Sequence, residues 1–547
     1  MLVVNEKTAD SHSKIQDDAT KDLEEGSQGT HKQDEQSEQQ QPPGPPYSVF
    51  TDLQKRCIVF IVALTTLLPP LTASIFYPVI TLLSRELNVS ITEINLTITI
   101  YLIIQGIAPS FVGNLSDVKG RRPALLAALI VYICGCVGAA LGSSYGVLFG
   151  MRCLQSAGGS GTIALSLATV SDIVTSAERG KYSSYVQMGW MLGPSLGPSD
   201  KIIGGLISRF LGWQAIFWFL AIYAGVVWLV AAMLLPETSR QIVGNGSIQP
   251  TAWNKTGASY LRQLSDHRRS GVVPPAPATE KPERPTTITT TTTPSSATAA
   301  LNPLASLRVF RDPETSLLLV YSGLVYASSY MVLSTLPGQL ERVHGLDTLR
   351  VSLCFLAPGF GTVTSVLLTG RVLDWNFRRH AARTPGVGAI PRGTGQQEYL
   401  NRASFPLERA RLQSSAAALL LAGASLLCYG WTLQQQQPGT VVPLAVPLVF
   451  LFLQAAGSAS AFSGLSNLIM DLNRDRPGAA SAAMNITRCW LGAGGTALAS
   501  PLVSATGGVG WLGVVISGFW LLFSPCVVLV FRNGPRWREE KRGKSVA

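Results

Sequence analysis

Two arginines stand where the sequence is otherwise apolar: Arg152 in RCLQSAGGSG (152–161) and Arg488 in ASAAMNITRCWLGAGG (480–495). Counted from the nearer ends of their runs, they lie roughly 9 Å and 13 Å deep at about 1.5 Å of helix per residue. An arginine near the centre of a bilayer costs about 2.5–3.5 kcal/mol on insertion scales. Each is therefore expected to face a cavity or, on the plainer reading, to bond neighbouring carbonyls within a packed bundle. No acidic residue shares that depth: Asp117, Asp172, Asp374, Asp471 and Glu93 fall near the ends of runs. A cavity with two cations and no buried acid favours an anion. Arg488, Asn485 and Arg152, with Gln155 beside Arg152, frame a candidate substrate site. Tyr77, Gln105, Gln187, Tyr330 and Gln454 are polar groups inside other spans; each either joins the site or serves as a packing residue with a satisfied hydrogen bond.

A second pattern occurs twice. GNLSDVKGRR (113–122) and GRVLDWNFRR (370–379) share the spacing Gly113, Asp117, Arg121, Arg122 and Gly370, Asp374, Arg378, Arg379. A glycine lets two helices approach closely, and an Asp near a helix end can pair with Arg across a seam or meet a neighbouring helix N-terminus. Such a latch must break when that side of the protein opens. On the plainer reading these charges only set topology. A third stretch, GWMLGPSLGP, puts Gly189, Gly193 and Gly197 on one helical face, with Pro194 and Pro198 weakening the backbone bonds there. It reads as a hinge or seal, or else as a rigid packing groove.

These residues need elements that cross a membrane to position them. The chain of 547 residues is 47% hydrophobic and 14% charged, with mean hydropathy +0.27, whereas a soluble domain carries about 25% charge. Apolar runs of about 20 residues, each able to span a hydrocarbon core of about 30 Å, stand at 56–79, 94–116, 123–142, 146–170, 183–205 and 213–235, and again at 315–337, 351–372, 413–432, 441–466, 479–503 and 508–531. Runs this long must satisfy their own backbone in lipid, so they are predicted to be helices. The expected fold is an all-α membrane protein of twelve transmembrane helices in two pseudo-symmetric bundles of six, 51–236 and 313–531. Around them lie a polar acidic tail (1–50), a Pro/Thr/Ser-rich linker (237–312) and a basic tail (532–547).

The formal charge of +11 sits in short turns rather than on one face, which excludes nucleic acid as the expected partner. Lys119, Arg121, Arg122, Arg179, Lys181, Arg378, Arg379, Arg409, Arg411, Arg474 and Arg476 fall in alternate turns. By the positive-inside rule that set and both termini face the cytoplasm. The stretch 405–412 is expected to form a short interfacial helix, and the basic tail to lie on the anionic inner leaflet. Asn88-Val89-Ser90 fits a glycosylation sequon on the opposite side. The eight cysteines lie in or at the ends of apolar runs, so neither a disulfide framework nor a metal site is expected, and no buried nucleophile–base pair points to an enzyme.

Together the motifs resemble the major facilitator superfamily, and within it the fungal twelve-span drug:proton antiporters. GNLSDVKGRRP is similar to that family's loop signature, RCLQSAGGSG to its fourth-span Arg motif, and GWMLGPSLGP to its antiporter motif; WQAIFWFL (213–220), LPETSRQIVGNGSI (235–248) and NITRCWLGAGG (485–495) also read like fungal members. The resemblance covers about residues 50–531. It implies alternating access around a central site, proton-driven efflux with Arg152 in the position linked to proton transfer, no cofactor, and cargo classes that include drugs, toxins and organic acids. One departure is SDKI (199–202), which intervenes before Gly204-Gly205. The expected function is proton-coupled export of an itaconate- or citrate-like di- or tricarboxylate across the plasma membrane by a monomer. A multidrug or toxin pump for neutral or cationic compounds is the alternative, and a non-transporting nutrient sensor a further one.

Overall fold

The computed structural model describes residues 48–174, 210–248, 309–383, 406–434, 442–473 and 477–546, with isolated positions at 182, 185, 186, 206, 207, 256 and 257. Among the described residues the chain is helical and holds no strand. The first group of elements is α1 (Asp52–Ser74), a 3₁₀ turn (Tyr77–Val79), α2 (Ile80–Glu86), α3 (Ile91–Lys119), α4 (Arg121–Leu141), α5 (Tyr145–Ile173), α6 (Gln214–Leu234) and the short α7 (Arg240–Val243). The second is α8 (Pro313–His344), α9 (Thr348–Cys354), α10 (Leu356–Arg383), α11 (Leu407–Gln434), α12 (Ala445–Leu472), α13 (Pro477–Thr506) and α14 (Val509–Val546). Nine helical segments among the described residues are long and apolar enough to cross a membrane. The helices that carry the deep arginines, α5 and α13, are 29 and 30 residues long. The expected fifth span (183–205) lies outside the described residues apart from 185 and 186, and with it Gln187, Gly189, Gly193, Pro194 and Gly197.

Local sequence sets the helix ends. Thr51 and Gln54 form a reciprocal capping box at the start of α1, and Ser90 and Glu93 do the same for α3, satisfying donors that the first turn leaves open. Gly345, left-handed at φ 61°, stops α8. Three expectations about the ends need correction. The segment 80–93, left between the expected spans 56–79 and 94–116, holds α2, because the apolar face of Ile80 and Leu83 stays buried. The stretch 405–412 is not a separate interfacial helix: Leu407, Glu408, Arg411 and Leu412 are buried, and their face opens α11. The basic tail continues α14, and Arg538 is not free for lipid, since its Nη2 donates to Glu408 Oε2 at 3.0 Å.

Within the first group α4 packs on α5, α3 on α5 and α6 on α4; within the second, α11 packs on α12 and on α14, and α10 on α12. Small residues allow the closest of these approaches. A Cβ on Gly158 would collide with the backbone of Tyr132 and Ala128, and one on Gly457 would stand 2.7 Å from the Ala418 carbonyl. The groups meet mainly where α3 lies along α13: Thr99 Oγ1 donates to the Ala493 carbonyl at 3.3 Å and Asn485 Nδ2 to the Gln105 carbonyl at 3.1 Å. They also meet where α2 and the 3₁₀ turn touch α8. Large apolar side chains such as Phe111, Ile222, Leu367, Leu420 and Leu522 face outward, as helices bathed in lipid tails require.

Candidate functional site

Arg152 is wholly buried on α5. Its Nη1 donates to Gln155 Oε1 at 2.9 Å, and Gln155 Nε2 in turn donates to Cys136 Sγ at 3.0 Å. The guanidinium lies 4.2 Å from the ring centre of Phe76 and 4.8 Å from that of Tyr101, so aromatic faces replace part of its lost hydration. Its Nε and Nη2 have no hydrogen-bond partner among the described residues. The break between α1 and α2 places Tyr77, the residue after Phe76, in a 3₁₀ turn within the span. The Tyr77 hydroxyl is buried and likewise has no hydrogen-bond partner among the described residues.

From Tyr77 a ladder of rings crosses to the second group of helices. Tyr77 meets Tyr330 edge to face, with centroids 6.1 Å apart. Tyr330 lies 4.7 Å from Tyr326, and their hydroxyls are 2.8 Å apart. The Arg488 guanidinium stands 5.5 Å over the Tyr326 ring, whose other neighbour is Phe462 at 5.7 Å. Arg488 donates from Nη2 and Nε to Asn485 Oδ1 at 2.8 and 3.2 Å, while Asn485 holds the Gln105 carbonyl of α3. The structure thus brings together Arg152, Gln155, Tyr77, Tyr330, Arg488, Asn485 and the backbone of Gln105. Gln454 is buried on α12, donating to Ser458 Oγ at 3.4 Å; Ser458 accepts from Ser329, the neighbour of Tyr330. Every Asp and Glu among the described residues lies in a loop or within the last ten residues at either end of its helix. Two guanidiniums fixed beside aromatic walls, Arg152 with two donors unpartnered among the described residues, can grip a planar oxyanion by paired hydrogen bonds.

The first copy of the repeated charge motif is a true turn. Gly120 breaks the helix at φ 108°, and α4 starts at the next residue. Arg121 then pairs with Asp117 at 2.6 Å and with Asp172 of α5 at 3.0 Å, while Arg122 Nη2 donates to the Ala232 carbonyl at 2.7 Å. The second copy is different. Position 377, which corresponds to Gly120, is a buried Phe, and α10 runs on through Arg383. Asp374 and Arg379 are exposed, and Arg379 stacks 5.4 Å over Trp375; Arg378 is partly buried. What joins the start of α11 to the end of α12, as Arg121–Asp172 joins α4 to α5, is Arg411–Asp471 at 3.1 Å. Among the described residues, a Cβ at Gly113 or Gly370 would meet nothing within 4 Å. Asn88 is exposed in the tight turn between α2 and α3, and the hydroxyl of its sequon partner Ser90 is engaged with Glu93.

Three participants escaped the sequence reading. Tyr326 and Phe462 complete the ring ladder, but aromatic residues in spans are common and carry no spacing signal. Glu237 accepts backbone N–H bonds from Arg121 at 2.9 Å and Arg122 at 3.3 Å, and from Thr238 and Ser239 at 3.0 and 2.9 Å. Its buried carboxylate therefore caps the positive end of α4. Its place in LPETS, at the close of an apolar run, was the available clue.

The family model described as Major Facilitator Superfamily matches residues 62–395. The chain is 38% identical over 500 residues to the MFS-type transporter tstD of Talaromyces stipitatus, covering 91% of this chain and 86% of the relative. It is 33% identical over 506 residues to Citrate exporter 1 of Aspergillus niger, covering 92% and 91%. Among solved structures it is similar to the peptide transporter POT in complex with sulfate, with TM-score 0.57, 13% identity and coverage of 88% and 95%. A bacterial homolog of the lysosomal transporter Spinster gives TM-score 0.55 at 13% identity, covering 89% and 97%. At such identities these two likenesses concern the fold.

Proposed function

Because this chain belongs to the major facilitator superfamily, whose members move small molecules across membranes, we propose that it exports a small di- or tricarboxylate, of the itaconate or citrate type, in exchange for protons. In this reading it acts as a monomer in the plasma membrane with both termini in the cytoplasm. Two six-helix halves, 51–236 and 313–531, alternate around the site between Arg152 and Arg488. The observation that carries the proposal is the pair of buried arginines bridged by tyrosines, with carboxylates confined to the helix ends among the described residues. The relative named as a citrate exporter supports the same substrate class.

The sign of the charge decides the cargo. An oxyanion about 4 Å from one buried guanidinium gains roughly 4 kcal/mol at an effective dielectric of about 20, and a cation there loses as much. Two arginines, with no facing acid among the described residues, thus separate anions from cations by far more than the difference a hydrophobic pocket supplies. The ring ladder favours a second reading, export of a flat neutral compound stacked on Tyr326 and Tyr330. Inside-out membrane vesicles with an acid interior test both. Uptake of radiolabelled citrate that collapses with a protonophore and is absent in Arg488→Ala supports carboxylate export. Uptake of a neutral or cationic dye with no citrate uptake overturns it.

A further inference from the structure

At the end of the molecule away from Asp117, a pocket of about 60 Å³ opens between α2, α3, α8 and α13, enough for a few water molecules. Its polar lining is neutral: Thr81, Asn95, Ser334, Thr335, Gln339 and Ser500. Asn95 is 1% exposed, and neither its Nδ2 nor its Oδ1 has a hydrogen-bond partner among the described residues. An amide left unsatisfied in a membrane helix is costly, so its retention points to a partner that comes and goes.

The pocket has a floor and a roof. Ser334 lies one turn beyond Tyr330 on α8, and Thr81 lies one turn beyond Tyr77, so the Tyr77–Tyr330 contact separates the pocket from the arginine site. One further turn out, Arg85 follows Thr81 and Glu341 follows Gly338, and these two side chains form an ion pair that ties α2 to α8. Arg85 is 72% exposed and Glu341 27%. A pair that wet is a weak latch, which suits a gate opened in every cycle.

We infer that this pocket is the discharge subsite of the export route: a neutral station, bounded by Tyr77–Tyr330 below and Arg85–Glu341 above, where Asn95 holds the polar head of a departing hydrated molecule. The inference rests on the export reading for its direction and deepens it. An anion that leaves two arginines for hydroxyls and an amide exchanges strong charge-assisted bonds for weak neutral ones. Binding is tight at the centre and loose at the exit, and release is not trapped.

The test has two arms. In intact cells, Asn95→Cys and, separately, Ser334→Cys are labelled with a membrane-impermeant thiol reagent, with Asn88→Cys as the exposed control and the parent chain as background. Both pocket thiols are expected to react from outside. Glu341→Gln should raise their rate by up to about fivefold, the effect of losing one half-exposed ion pair. If neither thiol reacts while Asn88→Cys does, or if the rate ignores Glu341→Gln, the inference falls. That arm does not depend on what is exported. In the second arm Asn95→Leu should slow efflux of radiolabelled citrate by about threefold to tenfold, the loss of one hydrogen bond, with citrate affinity at the arginines kept. Unchanged efflux overturns the role of Asn95. Failure of the parent chain to bind citrate sinks the substrate reading, and leaves the labelling arm to decide the subsite.

Discussion

Glu237→Gln tests the latch by the smallest change that removes its charge. In the structure Glu237 Oε1 accepts from the backbone N–H groups of Arg121, Thr238 and Ser239, and Oε2 accepts from that of Arg122. Glutamine keeps one carbonyl oxygen for the first three donors but turns them from charge-assisted into neutral bonds. It also points an N–H₂ group at the Arg122 N–H, donor against donor. Hydrogen bonds to charged groups contribute about 1.5–3 kcal/mol and neutral ones about 0.5–1.5; the α4 terminus adds about 0.3–1 for a nearby anion. The folded first bundle should lose about 2–3 kcal/mol of stability, a shift of roughly thirtyfold to 150-fold in its folded-to-unfolded ratio. Gly120→Ala should act on the same seam by another route, since a Cβ there would strike Glu237 Oε2 and lie 2.9 Å from its Cδ, at a φ of 108°. The double variant should cost less than the sum, because both changes displace one carboxylate. Thermal unfolding of the purified protein, with thiol labelling at both ends of the bundle, reads the effect. If Glu237→Gln unfolds at the parent temperature and labels as the parent does, the carboxylate cap is not part of the latch.

Three further outcomes follow from the same geometry. Arg488→Ala should abolish carboxylate transport while the protein still purifies and unfolds near the parent temperature, and Arg488→Lys should recover only part of the activity because it keeps the charge but not the two-pronged grip on Asn485 Oδ1; full transport by Arg488→Ala would remove it from the site. Arg411→Ala should destabilise by about 2 kcal/mol, between the values for exposed and buried pairs, whereas Arg379→Ala on the exposed end of α10 should change stability little; the reverse order in a thermal melt would restore the sequence repeat as the guide to the second latch. Gly158→Leu should leave little folded protein in size-exclusion chromatography, because its side chain has to grow into the backbone of α4; a normal elution profile would show that α4 and α5 are free to separate.

That Arg152 and Arg488 are buried was legible because a guanidinium inside an apolar run is a departure that composition exposes. The helices were legible for a related reason: twenty apolar residues in lipid have one economical backbone. Tyr326 and Phe462 were not, because a ring in a span faces lipid, packs, or lines a site with the same sequence around it, and only the neighbours decide. The repeated G-x-x-x-D-x-x-x-R-R shows where a matched spacing misleads. The positions its two copies share are a glycine, an aspartate and two arginines, but the position that makes the first copy a turn is Gly120 at φ 108°. A side chain with a Cβ is strained there, and the second copy holds Phe377, which is buried on an unbroken α10. The helix therefore carries Arg378 and Arg379 beyond the point where α4 begins in the first copy. The ion pair across the seam then has to come from the next helix, and Arg411 supplies it at the start of α11. The charge that matters is thus set by where the helix stops, and one glycine fixes that in the first half and not in the second.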